Sequence, residues 1–161
     1  VARTAAHARI RRIEKAISRA SALNTLYSYG GGRGGTYMSD PPGAGRSWTD
    51  CSGFAQWLCQ VGDVRLKNYV GSTWSLAEEG ESGTSPYFTF FIKNNPAGHD
   101  EHIIVRLRRR SRAGRKLFGE FRWAQCGGRD NPKSGGGPSW FRPTASRIAE
   151  FPIHRKFKEF A

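Results

Sequence analysis

Acidic residues and cysteines are scarce in this sequence, and long apolar runs are missing. No stretch approaches the roughly 20 apolar residues of a membrane span, and no charged-apolar-small leader opens the chain, so neither a membrane span nor export by the standard route is expected. The chain opens on Val1 rather than methionine, as expected of a domain taken from a longer protein. Its three cysteines, Cys51, Cys59 and Cys126, are an odd number at spacings that suit neither a disulfide framework nor a Cys-x-x-Cys zinc site. Cys51 and Cys59 would sit two turns apart on one helix, beyond disulfide reach, which fits a reducing origin or a free reactive thiol. There are 13 Asp and Glu against 26 Lys and Arg, a formal net charge of +13. Such an excess predicts attraction to a polyanion: nucleic acid, an anionic membrane surface or the bacterial cell wall. There is no internal repeat.

The 161 residues suffice for one domain with a real core, and 37% hydrophobic against 24% charged residues is a globular balance. Twenty glycines and eight prolines imply long loops. We divide the single domain 1–161 into a basic amphipathic helix (1–24), a core (25–128), and a Gly-rich loop with a C-terminal tail (129–161).

The chain is organised around Asp50-Cys51-Ser52-Gly53-Phe54-Ala55-Gln56-Trp57-Leu58, where a Gly-rich loop runs into a helix with cysteine on its first turn. Free N–H groups and the positive dipole end at a helix N-terminus favour thiolate, the nucleophilic form. Phe54, Leu58 and Val61, with Ala55, recur at helical spacing and would pin that helix into a core. The alternative for Cys51 is a small buried hydrophobe. Its polar neighbours and Gly53 favour catalysis.

Upstream, Ala6, Ile10, Ile13, Ile17 and Ala20 predict a helix from Thr4 to Leu23 with a basic, solvated back. The stretch 26–35 and Pro41 to Gly45 read as loop, without the Gly-Lys-Ser/Thr of a phosphate-binding loop. Downstream, Gly62 is a C-cap and Ser72 starts a short helix through Ala77 and Glu79. Three strands are predicted at 86–92, 102–107 and 117–125, giving an α+β fold with a mainly antiparallel sheet. The basic run Arg108 to Lys116 reads as an exposed hairpin tip, without interleaved aromatics to stack bases. The segment from Gly127 through Pro138 reads as loop, with Trp140 and Phe141 standing in it, and the aromatics of Ile148 to Phe160 pack the tail back on the body.

A cysteine nucleophile needs a base to take its proton and a third group to orient that base. His7 belongs to the basic helix and His154 to the tail, leaving His99 and His102. His102 heads an apolar strand and is the choice.

Three blocks resemble the NlpC/P60 cysteine peptidases: Tyr27-Ser28-Tyr29-Gly30-Gly31, then Asp50-Cys51-Ser52-Gly53-Phe54, then His102-Ile103-Ile104-Val105. The resemblance spans about Leu26 to Gly128. It implies a papain-like α+β fold and cleavage of peptidoglycan stem peptides beside D-γ-glutamyl or diaminopimelate residues. It makes Cys51 the nucleophile, His102 the base and Gln125 the third polar residue. Tyr27 becomes an oxyanion or substrate contact with Ser52 and the backbone of the Cys51 turn. The Gly-Asp that usually precedes the first sheet strand is absent before Pro86, and the basic run lengthens the interval from His102 to Gln125. The Gly-rich tail and missing export signal resemble bacteriophage lysins, which reach the wall through a holin or arrive with the virion. Peptidoglycan and anionic wall polymers are then the expected partners, nucleic acid is not, and no cofactor or metal is required. Oligomeric state is open.

Three other readings stand beside this one. An amidase or transacylase would use the same Cys-His pair. A non-catalytic basic domain binding wall polymer or nucleic acid would leave Cys51 an ordinary thiol. A zinc site would recruit His99, His102 and Cys51 or Cys126, but His-x-x-His alone lacks the second close pair of structural zinc.

Overall fold

The computed structural model describes residues 2–31, 38–69, 72–95 and 101–161. Among the described residues, five α-helices, α1 (Ala2–Ala22), α2 (Cys51–Val61), α3 (Thr73–Leu76), α4 (Arg112–Phe118) and α5 (Ala145–Ala149), and a terminal 3-10 turn (Lys158–Phe160) accompany six strands. The strands are β1 (Glu81–Ser82), β2 (Phe88–Lys93), β3 (His102–Arg108), β4 (Phe121–Gln125), β5 (Ser139–Phe141) and β6 (Ile153–Lys156). They form one sheet in the order β1-β6-β2-β3-β4-β5, antiparallel at every pairing, so the fold is mixed helix and sheet as expected of α+β. No helix among the described residues is long and apolar enough to cross a membrane.

Both long helices form for the reasons their sequences suggest. On α1, Ala6, Ile10, Ile13, Ile17 and Ala20 are all buried, the stripe that a 3.6-residue period places on one face. The back of α1 does more than face water. Arg9 Nη1 donates to the carbonyls of Gly62 (2.8 Å) and Asp63 (2.6 Å), and Arg12 Nε donates to Val61 O at 3.4 Å. Two cations thus lie at the negative end of α2, whose last carbonyls lack helical partners. Gly62 closes that end, its N–H donating to Leu58 O. At the other end Asp50, with β-region backbone, accepts the Gly53 N–H at 3.0 Å and caps α2.

One face of the sheet carries the main core, in which Ile103, Val105 and Leu107 of β3 meet Phe54 and Leu58 of α2 and the stripe of α1. The other face carries a smaller cluster of Phe91, Ile104 and Phe151, with Trp123, Phe141 and Ile148 packed against it. This division follows strand alternation, since Phe91 pairs with Ile104 and their sequence neighbours turn to the opposite side.

The departures from expectation lie in the second half. The basic tip is a hairpin connection, but it holds α4, not a loop, and Leu117 belongs to that helix. Ser111 Oγ accepts the Gly114 N–H, and Arg115 Nη1 donates to the carbonyls of Arg109 and Arg110, each at 2.8 Å, which folds the tip on itself. Gly119, at φ +91°, then reverses the chain into β4. Trp140 and Phe141 stand in strand β5 instead of a loop. The tail does pack back, and its segment β6 enters the sheet between β1 and β2.

Candidate active site

Cys51 begins α2 and is 8% exposed. Asp50 holds the approach to it in place, because Oδ1 takes the Gly53 N–H and the Ser52 hydroxyl (3.1 Å) while Oδ2 takes the Gly30 N–H (2.9 Å). The Asp-Cys-Ser-Gly block is therefore a self-capped helix start, with its Ser52 hydroxyl turned to Asp50. Gly53 is required there, since a Cβ at that position would run into Thr49 Oγ1.

His102 heads β3 and is buried. Its Nε2 lies 2.8 Å from Gln125 Oε1, and Gln125, wholly buried at the end of β4, donates from its own Nε2 to Asp130 Oδ1 at 3.1 Å. The second bond settles the direction of the first. An amide that gives its NH2 to a carboxylate turns its oxygen to the imidazole, so His102 carries hydrogen on Nε2 and keeps the lone pair on Nδ1. Asp130 is fixed in turn by buried Arg147 of α5, whose Nε lies 3.4 Å from Asp130 Oδ2 and whose Nη1 lies 3.3 Å from Glu150 Oε1. The Phe151 ring lies 5.9 Å from the imidazole, between centroids.

Burial pushes the His102 imidazole down to about 4, with Gln125 opposing that shift and the Arg147 charge adding to it. At neutral pH the ring is a free base. Burial, reinforced by the nearby Cys51 and Asp50 charges, pushes the Tyr27 phenol up to about 12, so it remains a donor. Burial pushes the Cys59 and Cys126 thiols well up, and Cys126 Sγ donates to Thr49 O at 3.3 Å. Both are packed in the core.

The two halves of the site meet at one turn. Gly127 and Gly128 follow Gln125 with φ of +77° and +94°, a region that disfavours side chains. A Cβ on Gly127 would lie 2.6 Å from the Tyr27 ring, and one on Gly128 would strike Gln125 Oε1 and lie 2.8 Å from His102 Nε2. The turn thus wraps the end of β4 with Tyr27, the residue that feels Cys51, on one side and the His102–Gln125 pair on the other. Sequence reasoning named Cys51, His102, Gln125 and Tyr27 but missed Asp130, Arg147 and this turn. The double glycine after a strand signals the turn. No spacing rule points to Asp130 or to an arginine in the tail.

Among the described residues no set of three His, Cys, Asp or Glu side chains is placed to hold a metal ion, and His99 lies outside those residues. No protein-family model matches the chain, and neither a curated protein nor a solved structure is significantly similar to it.

Proposed function

We propose that the chain is a cysteine peptidase that cuts peptidoglycan stem peptides, with a papain-like arrangement of Cys51, His102 and Gln125. One observation carries the catalytic part: Gln125, oriented by Asp130, accepts a hydrogen bond from His102 Nε2–H and leaves Nδ1 as the basic nitrogen. The first step follows. His102 Nδ1 accepts the Cys51 proton, the thiolate attacks the scissile carbonyl, and the Tyr27 hydroxyl and backbone N–H groups at the start of α2 stabilise the oxyanion. His102 then returns the proton to the leaving amine, and water hydrolyses the thioester with the imidazole again as base. Gln125 holds the ring through both transfers.

The substrate class rests on the likeness of the Tyr27, Cys51 and His102 blocks to the NlpC/P60 peptidases, and the charge of +13 suits an anionic wall. A phage lysin, delivered by a holin or with the virion, is the setting that fits best. Mass spectrometry of fragments released from diaminopimelate-type and lysine-type peptidoglycans tests the proposal. The parent chain should create new peptide termini and Cys51→Ala should create none. Release by both, or by neither, would sink it.

A further inference from the structure

Three guanidinium groups converge on a cleft of about 430 Å3 at the end of β4 opposite Gln125. Arg109, Arg122 and Arg142 line it together with Phe118, Phe121 and Trp140. Strand β5 pairs with β4 only from Trp123 to Gln125, so the outer edge of Phe121 and Arg122 opens into this space. Among the described residues no carboxylate lines the cleft. The acids near it are engaged elsewhere, Glu120 with Arg108 at 3.6 Å and Glu14 with Arg110 at 3.8 Å.

The rings hold the cations. The Arg122 guanidinium lies 3.7 Å from the centre of the Trp140 ring, itself fixed by donation from Nε1 to Ser18 Oγ at 3.1 Å. Arg106 covers Phe121 at 3.9 Å, and Arg109 lies 5.5 Å from Phe118. Burial and the charge of Arg142 both push the Arg109 guanidinium down, and burial and Arg109 do the same to Arg122, with Glu14 opposing only part of each shift. Like charges held close and partly desolvated, in a cleft that no carboxylate lines, are stabilised when an anion enters, and guanidinium forks match phosphate oxygens.

We propose that this cleft binds a base-free phosphodiester polymer, of the polyol-phosphate kind that bacterial walls carry. The rings argue for this against nucleic acid: Trp140, Phe121 and Phe118 already carry guanidinium groups, so their stacking is spent on holding charge in place instead of receiving bases. Naming a wall polymer as the source rests on the peptidase reading; the anion site does not. Gln125 lies four residues further along β4, roughly 13 Å at the rise of a strand. A polymer seated in the cleft holds the wall within reach of Cys51.

The test is calorimetric titration of the Cys51→Ala chain, which binds without cutting, with glycerol-phosphate polymer, oligothymidylate of equal charge and polyglutamate. Saturable binding of the glycerol-phosphate polymer is expected, weakened about tenfold by Arg122→Gln/Arg142→Gln. Arg11→Gln/Lys15→Gln, which removes the same charge from the exposed back of α1, should change it less than about twofold. Equal weakening by both double variants, or equal binding of polyglutamate, would reduce the effect to net charge and overturn the site. Oligothymidylate binding as tightly through the same arginines would reassign the cleft to nucleic acid. The two proposals fail separately: with Cys51 restored, Arg122→Gln/Arg142→Gln should still digest peptidoglycan stripped of wall polymer. Loss of that digestion in the parent would fell the peptidase while leaving the binding result standing.

Discussion

The two ends of β4 treat polar side chains in opposite ways. At Gln125, the polar groups are linked in sequence: imidazole to amide, amide to Asp130, and Asp130 in an ion pair with Arg147. At Phe121 and Arg122, arginines are collected around a cleft that no carboxylate lines. A closed network of the first kind holds one atom ready for a proton. An open cluster of the second kind waits for a charge from outside. About 13 Å of strand separate a linked polar network from a cluster of cations.

The sharpest way to break the comparison uses its two glycines. Gly128 and Gly119 both have positive φ, but a Cβ at Gly128 meets Gln125 and His102, whereas at Gly119 nothing lies within 4 Å. Gly128→Ala should lower kcat/KM about 100-fold and destabilise the chain by roughly 3 kcal/mol. Gly119→Ala, at φ +91° and ψ 168°, should cost about 2 kcal/mol of strain and no activity. Denaturant melts and peptide-release rates on both variants would show it, and equal losses would remove the role given to the Gly128 turn.

Next in size is an acid effect. His102 folds with its imidazole pushed down to about 4, below the usual value near 6.5. Between those values the unfolded chain takes up a proton that the folded one refuses, so stability is lost as pH falls from about 6.5 to 4. The expected loss is roughly 3 kcal/mol, all of it present by pH 4. His102→Gln should flatten that part of the stability curve, and activity should fall as pH drops through about 4. A parent curve already flat there would mean the imidazole is not held neutral.

Smaller still is the loss of orientation. Asp130→Ala lets the Gln125 amide turn over and offer its NH2 to His102, which should cut kcat about tenfold with little change in KM. An unchanged kcat, with an unchanged pH profile, would make Asp130 merely structural. Smallest of all, each end should ignore the other: Asp130→Ala should move polymer binding less than about twofold, as expected of sites that share no partners.

The first half of the molecule was legible because its signals are local. The stripe of α1 repeats over five residues, and Asp50, Gly62 and Ser72 sit where capping chemistry needs them. β2 and β3 read clearly because both are apolar on both faces of the sheet. The hairpin tip misled because positive charge reads as solvated loop, while the Ser111 cap that starts α4 is a single residue. β5 and β6 are three and four residues long, too short for alternation to show. Their pairing partners, β4 for the first and β1 and β2 for the second, decide them. The same is true of the site. A nucleophile on a helix start and a histidine on a strand have sequence contexts, whereas Asp130 and Arg147 owe their roles to where distant chain folds back.

The insertion of β6 between β1 and β2 sets an order of events during synthesis. A ribosome has made every residue from Tyr27 to Asp130 well before Ile153–Lys156 emerges, so the growing chain holds Cys51, His102 and Gln125 beside a sheet with a gap. Arg147, which steadies Asp130, also arrives late. Chains arrested at residue 145 should therefore be inactive and leave β2 amides open to hydrogen exchange, whereas the full chain protects them. Read in time instead of space, the tail closes the sheet and steadies Asp130 only after the residues around Cys51, His102 and Gln125 have been made.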